Sequence, residues 1–215
     1  MAVNTLDRLR IARYSTFQWR YGLSVVKKIA LALGIAAITG LMAQARIYLP
    51  WTPVPITGQT FAALLAGVLL GQWWGGISMV MYAGLGIAGI PWFTGWAGGI
   101  GHLAGPTGGY IIGFILAAFF VGHFTDRYVK ARKLPRMLGL MLIANFMLVY
   151  IPGLVQLYLW LNVVNGNYTS IYQVLTMGLF PFIAGDAIKA TAVAATAWTI
   201  TPKQAYGKEL DREIE

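Results

Sequence analysis

The 215-residue chain contains no cysteine, which removes disulfides and thiolate metal sites from consideration. It is also poor in charge. Asp, Glu, Lys and Arg together make up 11% of residues, whereas a soluble domain of this size carries about 25%. Acids are scarcer still, seven against 16 Lys and Arg. So little charge cannot cover a water-facing surface, and lipid is the expected solvent. Both histidines, His102 and His123, lack metal-like spacing, and no HExxH run occurs. There is no P-loop. The pattern Gly99, Gly101, Ala104 matches a dinucleotide fingerprint in letters only, because no strand–turn–helix unit surrounds it.

What is present is apolar. Hydrophobic residues make up 58% of the chain and mean hydropathy is +0.65. Six apolar stretches run over 29–49, 57–72, 74–90, 107–124, 136–162 and 172–200. A helix needs about 20 residues to cross the hydrocarbon core. The second and third stretches are short for that and require a tight turn between Gly71 and Gly76. No repeat period interrupts the chain. The expected fold is therefore an all-α integral membrane protein, a compact bundle of six transmembrane helices. It comprises a basic N-terminal segment (1–28), a membrane domain (29–200) and a tail (201–215). Pro152-Gly153 is expected to kink the fifth helix, and Pro181 to start or kink the sixth.

Charge placement tests the count. Lys and Arg cluster before residue 29, between the fourth and fifth stretches (Arg127, Lys130, Arg132, Lys133, Arg136), and in the tail (Lys203, Lys208, Arg212). The loops near 50–57, 91–106 and 163–171 carry none. With six spans all three clusters share one side, which the positive-inside rule makes the cytoplasm, with both termini there. The basic residues sit at segment ends rather than along a groove, so nucleic acid is not an expected partner. The N-terminal segment, with Leu6, Leu9, Phe17 and Trp19, reads either as a helix on the membrane surface or as a mobile tail.

Two features stand out. Asp186 is the one acid inside a span, and Lys189, three residues on, shares its helical face. With a helix starting near Phe180, the pair lies roughly 10–15 Å below the outer end. An ionised group at that depth costs at least about 2.5–3.5 kcal/mol, so it needs a cavity or a partner. The pair is either a ligand or ion site or a self-neutralised packing device. The second feature is the uncharged loop 91–110, rich in Gly and aromatic residues, which could fold over an apolar ligand or merely sit at the interface. Gly109 and Gly113 form a GxxxG, more often a packing device than a dimer face.

The runs Pro53–Thr60 (PVPITGQT), Gly105–Tyr110 (GPTGGY) and Gly185–Lys189 (GDAIK) resemble, in that order, the BioY family. These are the biotin-binding S-components of energy-coupling-factor (ECF) vitamin transporters. The resemblance implies a pocket near the outer face that captures biotin, with biotin as cargo rather than cofactor. It also implies a cell-membrane location and partners in a transmembrane coupling protein and ATP-binding cassette ATPases. A homo-oligomer is left open. The GDxxK segment is implied to bind ligand. Asp186 can accept from ureido N–H groups and Lys189 can donate to an oxygen. Gln59 matches the family's PITxQ motif. Tyr82 offers a hydroxyl or is a packed interfacial residue. Phe93, Trp96 and Trp92 are candidates for apolar walls. Arg46 is a candidate for the biotin carboxylate or an interfacial anchor, and Asn145 reads as interhelical glue. For the coupling protein the candidates are Ala32 and Ala36, or Ala30 and Gly34. Packing within the bundle is their alternative. Other readings are an S-component for a different vitamin and a stand-alone proton-coupled carrier using the Asp–Lys pair. An enzyme is not expected, because an intramembrane aspartyl site needs two acids and no Ser–His pair is available within the spans.

Overall fold

The computed structural model describes residues 5–205 and 209–211. Lys208 and Arg212 of the tail cluster lie outside the described residues. The basic N-terminal segment forms a helix, α1 (Thr5–Gly22), with Phe17 and Arg20 buried against the bundle. Helix α2 (Val25–Gln44) then crosses the apolar layer. Short of the expected end at residue 49, it gives way to a strand, β1 (Arg46–Ile47). This strand pairs antiparallel with β2 (Ile56–Thr57), so that Arg46 faces Thr57. Among the described residues this two-stranded clip is the sole sheet, and the remaining regular structure is helical apart from an isolated bridge between Phe93 and Ala97.

The second and third apolar stretches form one interrupted helix, α3 (Gln59–Ile87). Its interruption is Gly71, at φ +80° and ψ −177°. Only glycine adopts this conformation without strain. The chain turns back on itself there. Gln59 Nε2 donates to the Tyr82 hydroxyl at 2.7 Å, a contact a straight helix would forbid across 23 residues of rise. The turn expected between Gly71 and Gly76 is therefore made by one residue.

A break in a helix leaves carbonyls and amides without partners on either side. Two distant charges supply them. The Arg20 guanidinium donates to the carbonyls of Val68 (3.1 Å) and Leu69 (3.0 Å). Asp126 Oδ2 accepts from the Gln72 amide at 2.9 Å, and Asp126 Oδ1 pairs with Arg20 at 2.5 Å. A cation lies at the C-terminal end of one half and an anion at the N-terminal end of the other, each matched to its helix dipole.

A short α4 (Ile100–Leu103) sits in the outer loop before α5 (Gly108–Arg127), which packs against both α3 and the helices that follow. Helix α6 (Leu134–Ile143) runs through a π-helical turn (Ala144–Val149) into α7 (Tyr150–Leu159). The irregularity lies just before Pro152, which has no N–H to continue the ladder. Gly109 and Gly113 of α5 lie against the backbone of Pro152 and Val149, so the GxxxG serves packing within the bundle. The last apolar stretch is also broken. Helix α8 (Ile171–Gly178) ends at Leu179, and a single turn containing Pro181 leads into α9 (Ile183–Ile200). Among the described residues, five helical stretches, with α3 counted once, are long and apolar enough to cross a membrane. Large apolar side chains such as Leu116, Met147, Val155 and Ile188 point outward, as lipid contact requires.

Behind the membrane bundle, the buried Arg132 pairs with the buried Glu209 at 2.8 Å and so ties the tail to the loop after α5.

Candidate ligand site

The break at Leu179 places Asp186 in the first turn of α9, near the middle of the 171–200 stretch. At the N-terminal end of α9 the carboxylate also meets the positive end of the helix dipole. Asp186 Oδ2 accepts from the Tyr150 hydroxyl at 2.5 Å and from Asn145 Nδ2 at 3.2 Å. Its Oδ1 pairs with Lys189. The ammonium of Lys189 also donates to the Thr57 carbonyl at 2.9 Å, joining α9 to the β1–β2 clip.

A cavity opens beside this pair. It is walled by Val54, Ile111, Phe114, Val149 and Phe182, with Thr57, Gln59, Thr60, Tyr110 and Tyr150 adding polar atoms. Its free volume is about 50 Å³. That is well below the roughly 150 Å³ that holds a benzene-sized ligand, so loading it with a larger molecule requires movement. Gln59 is oriented from three sides: it donates to Tyr82, and its Oε1 accepts from Thr57 Oγ1 at 3.0 Å and Thr94 Oγ1 at 3.4 Å.

The sequence-derived candidates divide. Asp186, Lys189 and Gln59 meet at the cavity. Tyr82 is fully buried behind Gln59 and holds it rather than lining the space. Phe93 and Trp92 pack on Tyr82, and Phe93 also stacks on His102. They form the base of the outer loop, not the cavity wall. Trp96 is 61% exposed at φ +58° and also lies off the wall. Arg46 belongs to the loop anchor. It donates to Gln44 Oε1 at 3.3 Å and sits over the Tyr48 ring, while Gln44 Nε2 donates to the Phe93 carbonyl at 3.0 Å. The apolar walls come instead from α5, the π-turn and the turn before α9. Ala32 and Ala36 are buried inside the bundle, while Ala30 and Gly34 are exposed and line a groove beside Phe17 and Trp19 of α1. The unassigned contributor is Tyr150. Its one sequence signal is a hydroxyl two residues before the Pro152 kink. Asn145 does bridge helices, and its partner is Asp186. Its Oδ1 is buried without a hydrogen bond, and the π-turn aims the side chain inward.

The BioY family profile matches residues 12–205. The chain belongs to the BioY family. A "Probable biotin transporter BioY" of Methanothermobacter thermautotrophicus is 53% identical over 147 residues, 68% of this chain and 94% of the relative. The "Biotin transporter BioY" of Rhizobium etli is 35% identical, covering 76% of this chain and 86% of its own. The crystal structure of an S-component for biotin from an ECF-type ABC transporter superposes with a TM-score of 0.71 at 28% identity. It covers 80% of this chain and 89% of that one. BioY proteins are transporter components, so the chain is a multi-pass membrane protein and not an enzyme.

Proposed function

We propose that this chain is the substrate-binding subunit of a biotin uptake system, capturing biotin beside Asp186 and Lys189. The observation that carries this is the unused hydrogen-bonding capacity of the pair. An ionised carboxylate offers about four lone-pair sites and an ammonium three donors. Asp186 uses three, toward Tyr150, Asn145 and Lys189. Lys189 uses two, toward Asp186 and Thr57. One acceptor and one donor remain side by side. A ureido ring offers a complementary N–H and carbonyl. Gln59 retains a second Nε2 hydrogen for another polar atom of the ligand, and Ile111, Phe114 and Phe182 suit the thioether ring and tail. Arg46 and Trp96, outside the wall, act from the mouth as the outer loop opens and closes. Biotin is cargo, and no cofactor takes part. The names of the relatives argue against a different vitamin.

The bend at Gly71 supports six spans, since each half of α3 then crosses separately. Six spans bring the three basic clusters to one face, which favours cytoplasmic termini in the cell membrane. The exposed Ala30 and Gly34 offer a small-residue face for a coupling subunit, which with its ATPases would supply the energy.

The test is equilibrium binding of biotin to the detergent-purified protein, with riboflavin and thiamine as controls. Submicromolar binding of biotin alone is expected. A folded protein that binds none of the three overturns the proposal.

A further inference from the structure

At the basic end of the bundle, a groove separates the last turns of α5 from α6. Its floor is Phe124, Gly139, Leu140 and Ile143, and Lys130 and Arg136 stand at its rim. Its free volume is about 630 Å³. Along α6, Arg136, Leu140, Ile143 and Met147 fall on one stripe, at spacings of four, three and four. Ile143 and Met147 are exposed, and a side chain at Gly139 would meet open space. The stripe therefore runs from a guanidinium into a bare apolar track that continues toward the middle of the span.

The charges at the rim are available. Among the described residues, the side chains of Lys130 and Arg136 make no hydrogen bond or ion pair. Arg127 and Lys133, also exposed, add to the same turn. Among the described residues one acid lines the groove, Asp211, and it would repel an anion. Both its oxygens are already engaged, however, accepting from the amides of Val129 (2.6 Å) and Lys130 (2.9 Å). Among the described residues, Lys130, Arg136, Arg127 and Lys133 outnumber this one acid, and the rim is cationic in balance.

We propose that this groove is a binding site for one anionic glycerophospholipid. The phosphate lies between Lys130 and Arg136, and an acyl chain follows Gly139, Leu140 and Ile143. Charge at the water boundary with an apolar track below it is complementary to a lipid and to few soluble anions. The site is separate from the biotin cavity and independent of the biotin reading.

The test is native mass spectrometry of the delipidated full chain, titrated with phosphatidylglycerol or phosphatidylcholine. Phosphatidylglycerol should bind preferentially. The double variant Lys130→Ala/Arg136→Ala should lose about fivefold affinity per charge for it, with biotin binding unchanged. Gly139→Leu, which fills the floor and keeps both charges, should also weaken retention. The control Arg8→Ala/Arg10→Ala, on α1, should not. Glycerol 3-phosphate, which has the headgroup charge without chains, should fail to displace the lipid. Equal binding of the two lipids, or equal losses in the control and rim variants, would overturn the site.

Discussion

Arg20 and Asp126 meet at 2.5 Å across 106 residues of sequence, and between them they close both ends of the helix that Gly71 breaks. The N-terminal helix is thereby tied to the centre of the bundle. Because each charge serves backbone groups as well as its partner, neither is replaceable by a neutral residue of similar size.

Arg20→Ala and Asp126→Ala should each destabilise the protein, by up to about 3–5 kcal/mol, since each takes the opposite charge from a largely buried ion and leaves backbone groups at the Gly71 break without their partner. The double variant should lose less than the sum. Thermal unfolding in detergent measures both. Gly71→Ala should be comparably damaging, because its Cβ would meet the Asp126 carboxylate and its φ is positive.

Asp186→Asn alone strands the Lys189 ammonium, and Lys189→Met alone strands the carboxylate. Both should lower stability by a few kcal/mol and abolish biotin binding. The double variant Asp186→Asn/Lys189→Met should recover most of the stability without recovering binding. Recovery of both would mean that the pair serves packing alone.

Gly109→Ala and Gly113→Ala should each cost about 1–3 kcal/mol, because the added methyl groups drive into the backbone of Pro152 and Val149. Gly84→Ala, where nothing lies within 4 Å of the added carbon, serves as the control and should be near neutral.

His102, in the outer loop, is stacked on Phe93, and burial holds its pKa below the ordinary value of 6.5. The unfolded chain therefore binds more protons just below pH 6.5 than the folded one does. Stability should be full above pH 6.5 and fall as the pH drops from there through the folded value. Melting temperatures at pH 5 and 7.5 should differ less in His102→Phe than in the parent chain.

Much of this was legible in advance. Low charge, long apolar runs and clustered Lys and Arg needed only the membrane's selection against exposed polar groups. Asp186 and Lys189 stood out because ionised residues inside a span are rare, and Gln59 stood out through its motif. The other residues lining the cavity were not legible in this way. Phe93 and Trp96 are conspicuous in sequence, but aromatic residues near an interface have several uses. Tyr150, Phe114 and Phe182 look like any apolar-span residues until the helices are packed.

The sequence by itself therefore determined the solvent, the long apolar segments and the charged pair Asp186–Lys189 among them. These follow from composition and from periodicity along a single helix. The tertiary structure decided what depends on distance between segments. Arg20 and Asp126 cap the broken helix, Tyr82 holds Gln59 in place, and Tyr150 and Asn145 complete the carboxylate's hydrogen bonds. Ala30 and Gly34, rather than Ala32 and Ala36, face outward. Side-chain hydrogen bonds between helices act over a few ångströms, and no pattern along one chain encodes which distant residues will come that close.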